Sequence, residues 1–117
     1  MIVFRMGEEE PLGPGDPLGR TQVGYRPGLG EAECWNRSRG VWKLKEGRAL
    51  EQDLAVVVDP DWIVRAVARV TAVSKHGDRR AVEGDVLEGH PMVGQPFPTP
   101  NTSRNSISYH PDGAFPA

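Results

Sequence analysis

The residues best suited to chemistry are the cations and aromatic rings at positions 36–45, which read Asn-Arg-Ser-Arg-Gly-Val-Trp-Lys-Leu-Lys. Lysine and arginine neutralise phosphates, and a tryptophan or tyrosine ring offers a face on which an unpaired base stacks. The segment therefore predicts a surface that binds nucleic acid. Its candidate phosphate partners are Arg37, Arg39, Lys43 and Lys45, and its candidate stacking residues are Trp42 with Trp35 or Tyr109.

The same segment also has a purely structural interpretation. Trp42 fits a place in the hydrophobic core, and the neighbouring cations then form a solvated face, which is the usual role of a run of charges. The sequence leaves both interpretations open. They differ in one observable, which is whether the ring of Trp42 is enclosed or lines a basic groove.

Groups that could act as nucleophiles, bases or metal ligands are sparse. His76, His90 and His110 are far apart in the chain, and each adjoins a glycine or a proline, so no two have the spacing of metal ligands. Cys34 is the single cysteine, and the sequence pairs it with no histidine. The usual position of such a thiol is buried. We expect no catalytic residue, metal or cofactor, and we lean away from an enzyme without excluding one.

Two further patterns resemble functional motifs without completing them. Glu83, Asp85 and Glu88 form an acidic run, which is more typical of solvated hairpin carboxylates than of acid and base catalysis. Residues 7–30 hold seven glycines and four prolines, but they lack the Lys-Ser/Thr ending of a phosphate-binding loop. A nucleotide-binding loop is therefore rejected.

Length and composition indicate one small domain. The 117 residues suffice for a single core, and 25 of them are glycine or proline, so much of the chain forms turns and loops. The net charge is −2, but positions 37–48 carry five cations and one anion. A single cysteine and the lack of a long apolar run predict a reduced, cytoplasmic location with no membrane contact.

The local patterns predict a β-rich chain that holds these residues on short elements. The hairpin is the strongest signal, because an apolar run at 54–58 ends in Asp-Pro and a β-branched run returns at 63–73. The other expected strands lie at residues 2–6, 41–44, 79–86 and 106–109, and short helices are expected at 31–36 and within 45–53. Residues 7–30 are predicted to be a long loop, and residues 111–117 a frayed tail.

These elements describe an α+β fold, a small curled sheet or β-barrel of five to six mostly antiparallel strands with one or two short helices. The sequence Arg-Gly-Val-Trp-Lys-Leu at 39–44, the valine-rich hairpin, His-Pro-Met-Val-Gly at 90–94 and Ile-Ser-Tyr at 107–109 together resemble an uncharacterised microbial domain. That domain is similar in organisation to the PUA-like barrels, which include the ASCH, EVE and SRA types. The resemblance covers residues 31–110, and the glycine and proline insertion before residue 30 departs from it.

The resemblance implies a partner class of RNA or modified bases in DNA. Together with the basic segment it predicts a non-catalytic binding module. One alternative is a small inhibitor or adaptor that binds another protein through the proline-rich strip at 96–100. A further alternative is a small-ligand-binding protein or enzyme, whose pocket the long loops would cover.

Overall fold

The computed structural model describes residues 1–98, 105–111 and 113. The predicted tail, 111–117, lies mostly outside these residues. The strands are β1 (Ile2–Arg5), β2 (Glu10–Pro11), β3 (Gln22–Val23), β4 (Leu54–Val58), β5 (Val64–His76), β6 (Arg79–Val86) and β7 (Ile107–Tyr109), and the helices are α1 (Glu31–Ser38) and α2 (Glu46–Leu50). In the described part of the chain, neither helix is long and apolar enough to cross a membrane.

Five strands form one mixed sheet in the order β6-β5-β4-β1-β7. β1 pairs in parallel with β4 and antiparallel with β7, while the β4–β5 and β5–β6 pairs are antiparallel. β6 and β7 are the two edges, so the sheet of described residues is open and not a closed barrel. The predicted α+β class with mostly antiparallel strands is confirmed.

The sheet has a hydrophobic core on each face, because successive side chains of a strand point to opposite sides. Ile2 and Phe4 of β1 pack on the helix side, where Trp35 of α1 joins them. Val3 packs on the other side against Phe97, which the loop after β6 brings over the sheet. Both cores are built on β1 and β4, which are buried almost throughout.

The turn between β4 and β5 is fixed by the side chain of Asp59. Its carboxylate accepts hydrogen bonds from the backbone N–H groups of Asp61 at 2.8 Å and Ile63 at 3.1 Å. The N–H of Trp62 donates to the carbonyl of Asp59 at 3.0 Å, which closes the predicted four-residue turn. Trp62 has a φ of 63°, the left-handed conformation that ends many three-residue hairpin loops.

The segment 7–30 is more ordered than its predicted loop. β2 and β3 pair within it as a small second sheet, and the segment lies beside α1. Gly24 is required there, because it has a φ of +83° and a Cβ would lie 2.1 Å from the carbonyl oxygen of Glu8. The segment is therefore a covering that pairs with itself and lies against α1.

The predicted strand at 41–44 is wrong, since only Trp42 pairs, as an isolated bridge to Arg80. Gly40 lies against β6 so closely that a Cβ would come within 2.6 Å of the Cβ of Ala81. After Trp42 the chain leaves this edge, because Leu44 packs into the core and α2 begins two residues later. The other predicted helices and strands are confirmed, with small changes at their ends.

Candidate nucleic-acid interface

A surface groove of about 580 Å³ brings together two segments that are far apart in the sequence. One wall is the stretch between α1 and α2 with the first turns of α2, and the other is β7 and the residues before it. We call it the basic groove. It is lined by Trp42, Lys43, Leu44, Lys45, Arg48, Asn105, Ser106, Ile107 and Tyr109. Four of the six predicted site residues lie in this lining.

Trp42 belongs to the core and to the groove at once. Its ring stacks on Phe4 with centroids 6.3 Å apart and planes at 15°, and the indole N–H donates to the carbonyl of Ser38 at 2.7 Å. Its backbone exchanges two 2.8 Å hydrogen bonds with Arg80. The ring is half-buried, so it is fixed on one side and lines the groove on another. The two interpretations of Trp42 are therefore not exclusive.

Tyr109 of the β7 wall and Arg48 of the α2 wall are in contact. β7 presents Tyr109, and α2 places the guanidinium carbon of Arg48 3.9 Å from the centroid of its ring. Burial raises the pKa of the Tyr109 hydroxyl above its usual value, and the charge of Arg48 opposes that rise. The phenol therefore stays neutral at physiological pH. Stacked in this way, the guanidinium and ring planes are available to a further flat group.

Lys43 and Lys45, like Arg48, are exposed cations of the groove. Among the described residues neither lysine forms an ion pair, and no Asp or Glu side chain lines the groove. The charged side chains in the described lining are therefore all cations. An anionic ligand would meet cations there without displacing a carboxylate.

Arg37 lies outside the basic groove and is held by carboxylates. Its Nη1 is 2.6 Å from Glu9 Oε2 and its Nε is 2.8 Å from Glu33 Oε1, and only 7% of its side chain is exposed. Burial alone would lower the pKa of Arg37, but the hydrogen bonds that its guanidinium donates to these two carboxylates raise it. The predicted phosphate partner is therefore occupied within the fold, since it fastens residues 7–30 to α1.

Arg39 has a similar position on the far side of α1. Its Nη1 is 3.0 Å from Glu83 Oε1, and 16% of its side chain is exposed. Glu83 also accepts a hydrogen bond from Ser74 at 3.0 Å. The acidic run of β6 thus holds an arginine through Glu83, which accounts for that carboxylate without acid or base catalysis.

Arg48 is the described groove cation that the predicted site lacks. Its signal was available, because Arg48 follows Lys45 by three residues within a predicted helix, and residues at that spacing share a helix face. The contribution of Leu44 and Ile107 had no such signal. Their role depends on β7 lying beside the 42–45 segment, which no local pattern predicts.

A second pocket of about 420 Å³ adjoins the groove, and Trp42 and Ser106 line both. Its walls carry both signs of charge, including Arg20, Arg37 and Glu8. The hydroxyl of Ser38 is buried there without a hydrogen-bond partner among the described residues. The presence of both cations and a carboxylate distinguishes this second pocket from the basic groove.

Cys34, His76 and His110 each have structural contacts in the fold. Cys34 is fully buried, and burial raises the pKa of its thiol to about 11. His110 packs on Phe97. Burial lowers the pKa of His110, and the positive charge of the nearby amino terminus lowers it further. His76 bonds to Ser74 at 2.9 Å. In the described part of the chain no group of His, Cys, Asp and Glu could hold a metal ion.

The proline-rich strip at 96–100 is partly built into the fold. Pro96 forms an isolated bridge with Ile63, and Phe97 is buried in the core with its N–H bonded to the carbonyl of Trp62. Thr99 and Pro100 lie outside the described residues. In the described part of this strip Phe97 is buried, while Pro96 and Pro98 are exposed.

The candidate site is thus a basic, aromatic groove between α2 and β7, and two of the predicted arginines, Arg37 and Arg39, form ion pairs within the fold instead. Comparison of the chain with protein-family models, with curated proteins and with solved structures found no match.

Proposed function

We propose that the protein is a non-catalytic module that binds single-stranded nucleic acid in the basic groove. The observation that supports this proposal is the composition of the lining, which combines three cations with two aromatic rings. Positive grooves with exposed rings follow a phosphate backbone and stack its bases. A duplex has its bases already stacked, so the rings favour an unpaired strand.

Each groove residue has a distinct role in this proposal. Lys43 and Lys45 neutralise phosphates, because they are exposed and free of carboxylate partners among the described residues. Tyr109 and Arg48 provide a stacked pair on which a base lies. Trp42, held by Phe4, offers a rigid aromatic surface that needs little ordering upon binding.

The resemblance to PUA-like barrels implies the same class of partner, RNA or a modified base in DNA. The groove chemistry does not by itself discriminate among these, because phosphates and base faces are common to all of them. The preferred strand is therefore an outcome of the binding experiment. So is the inhibitor or adaptor alternative, which predicts binding to no oligonucleotide.

The test is fluorescence anisotropy with labelled single-stranded RNA, single-stranded DNA, duplex and modified-base oligonucleotides over a range of salt. The affinity of the wild type should fall with rising salt, and K43E/K45E should reduce the double-logarithmic salt slope by about 1.4, or about 0.7 for each lost phosphate contact. The matched control is R69E/R79E, which changes the net charge equally at two exposed residues outside the lining of the groove.

No binding of the wild type to any oligonucleotide at low salt would refute the proposal. Equal losses in K43E/K45E and R69E/R79E would show non-specific attraction instead of binding in the groove. Circular dichroism of each variant confirms that the fold is retained.

A further inference from the structure

The end of the β5–β6 hairpin is attached directly to the groove at Trp42. Arg80 of β6 lies opposite Trp42 on one side and opposite Lys75 of β5 on the other. Strands in a sheet are spaced by about 4.8 Å, so the Cα atoms of Trp42 and Lys75 are roughly 10 Å apart. The three residues form a row that crosses the hairpin.

The side chains of this row share the face of the sheet on which the groove lies. Directly opposite residues of antiparallel strands point to the same side. Trp42 packs on the helix side against Phe4, and Val82, two residues after Arg80, belongs to the same core. Arg80 and Lys75 therefore project on the helix side.

The other face of the hairpin end has different contacts. Ser74, next to Lys75, bonds to His76 and to Glu83 there. Arg79, next to Arg80, leaves β6 on that side as well because successive residues alternate, and its guanidinium donates to the carbonyl of Val41 at 3.5 Å. The hairpin end thus presents Lys75 and Arg80 on the groove side and Arg79 on the other side.

The two cations of the row repel each other, which lowers the stability of the folded protein. Lys75 and Arg80 are like charges placed directly opposite, an arrangement that destabilises a strand pair. Glu46 compensates part of this, since its Oε2 is 4.0 Å from Nε of Arg80, and the guanidinium also donates to the carbonyls of Gly77 and Arg79. Lys75 is exposed and has no ion-pair partner among the described residues.

We infer that this row, Trp42, Arg80 and Lys75, extends the basic groove into a track along which a longer single strand runs from β7 to the hairpin end. The inference rests on the proposed function. A phosphate beside Lys75 would relieve its repulsion from Arg80, which gives the like-charge pair a purpose. Lys75 is then a third phosphate contact, added to those of Lys43 and Lys45.

The experiment compares K75E with R79E on oligonucleotides of two lengths. A strand of about 4 nucleotides fits the groove alone, while one of about 12 reaches the hairpin, lengths within the range of known single-strand sites. K75E should leave the affinity for the short strand unchanged and reduce the salt slope for the long strand by about 0.7, one phosphate contact. R79E, on the opposite face, should leave both unchanged.

K75E retains the fold for a physical reason, because it places a carboxylate opposite Arg80 and turns a repulsive pair into an attractive one. Equal behaviour of K75E and R79E on the long strand, with the wild type binding both lengths, would overturn the track and leave the groove intact. Failure of the wild type to bind either length would instead overturn the proposed function.

Discussion

Two groups of cations lie close together in the sequence and have opposite roles in the structure. Arg37 is almost completely enclosed between two carboxylates, whereas Lys43 and Lys45 are exposed and line a groove without acidic residues among those described. Both groups belong to one basic stretch of the chain. Basic character alone therefore does not predict which cations meet a ligand.

The difference arises from the glycine- and proline-rich segment 7–30. It supplies Glu9 to Arg37 and brings its own ion pair, Asp16 with Arg20, against the end of α1. Arg20 donates to the carbonyls of Asn36, Arg37 and Gly40, which would otherwise lack partners at the helix C-terminus. The covering segment thus holds Arg37 in an ion pair that stabilises the fold, and it makes no ion pair with Lys43 or Lys45 among the described residues.

The largest effect should come from Arg20. R20M removes the partner of a buried carboxylate, Asp16, and the donor to three carbonyls, so the free energy of unfolding should fall by about 3 kcal/mol. Urea denaturation measures this fall. R26M is the matched control, because Arg26 also pairs with a carboxylate but its side chain is 59% exposed. Equal stability of the two variants would refute a structural role specific to Arg20.

Arg37 should have a smaller effect, since the carboxylates that it binds remain partly solvated when it is removed. R37M should lower the free energy of unfolding by about 2 kcal/mol, the value of hydrogen bonds to charged groups. Denaturant titration of R37M measures this change. If R37M were as stable as the wild type and bound oligonucleotides more weakly, Arg37 would be a binding residue instead of a structural one.

Acid should destabilise the covering segment before the rest of the protein. Hydrogen bonding to Arg37 lowers the pKa of Glu9, and hydrogen bonding to Arg20 lowers that of Asp16. A carboxyl whose pKa is lower in the folded state contributes stability above its unfolded value, about 4, and loses it as the pH falls below that value.

Urea midpoints measured from pH 7 to pH 3 test this expectation. R37M should lose less stability on acidification than the wild type, because the pKa of Glu9 is no longer lowered by Arg37. An identical acid loss in both proteins would separate Glu9 from the pH dependence.

The smallest effect should come from the groove lysines. K43M and K45M should each change the free energy of unfolding by no more than about 0.5 kcal/mol, because these side chains are exposed and unpaired among the described residues. Thermal unfolding monitored by circular dichroism measures this. A loss comparable to that of R37M would end the distinction between the two groups of cations.

Local patterns were sufficient for most of the fold. The apolar run of β4, the Asp-Pro turn and the β-branched run of β5 agree with one another, and the hairpin follows from them. The pattern at 41–44 has the same alternation, but among the described residues only Trp42 pairs, because Leu44 turns into the core and α2 begins two residues later. These are tertiary contacts, which the local sequence pattern does not reveal.

The site was predictable in its chemistry and not in its membership. Trp42, Lys43, Lys45 and Tyr109 lie in one groove, and Tyr109 joins it through pairing of β7 with β1, at the other end of the chain. Arg37 and Arg39 lie outside the groove because they form ion pairs with Glu9, Glu33 and Glu83. Glu9 and Glu83 lie 28 and 44 residues from the arginines that they hold, so only the folded structure reveals them.

The position of β7 at the edge of the sheet also determines how the groove moves. This strand has three residues and, within residues 1–98, 105–111 and 113, pairs with β1 alone, whereas β4 is held on both sides. Local opening at a short edge requires less free energy than global unfolding, so amide hydrogens of β7 should exchange with solvent long before those of β4. Such opening would separate Tyr109 from Arg48 while the hairpin stays folded. A single-stranded nucleic acid that contacts both walls would oppose this opening. Its binding should therefore slow hydrogen exchange in β7.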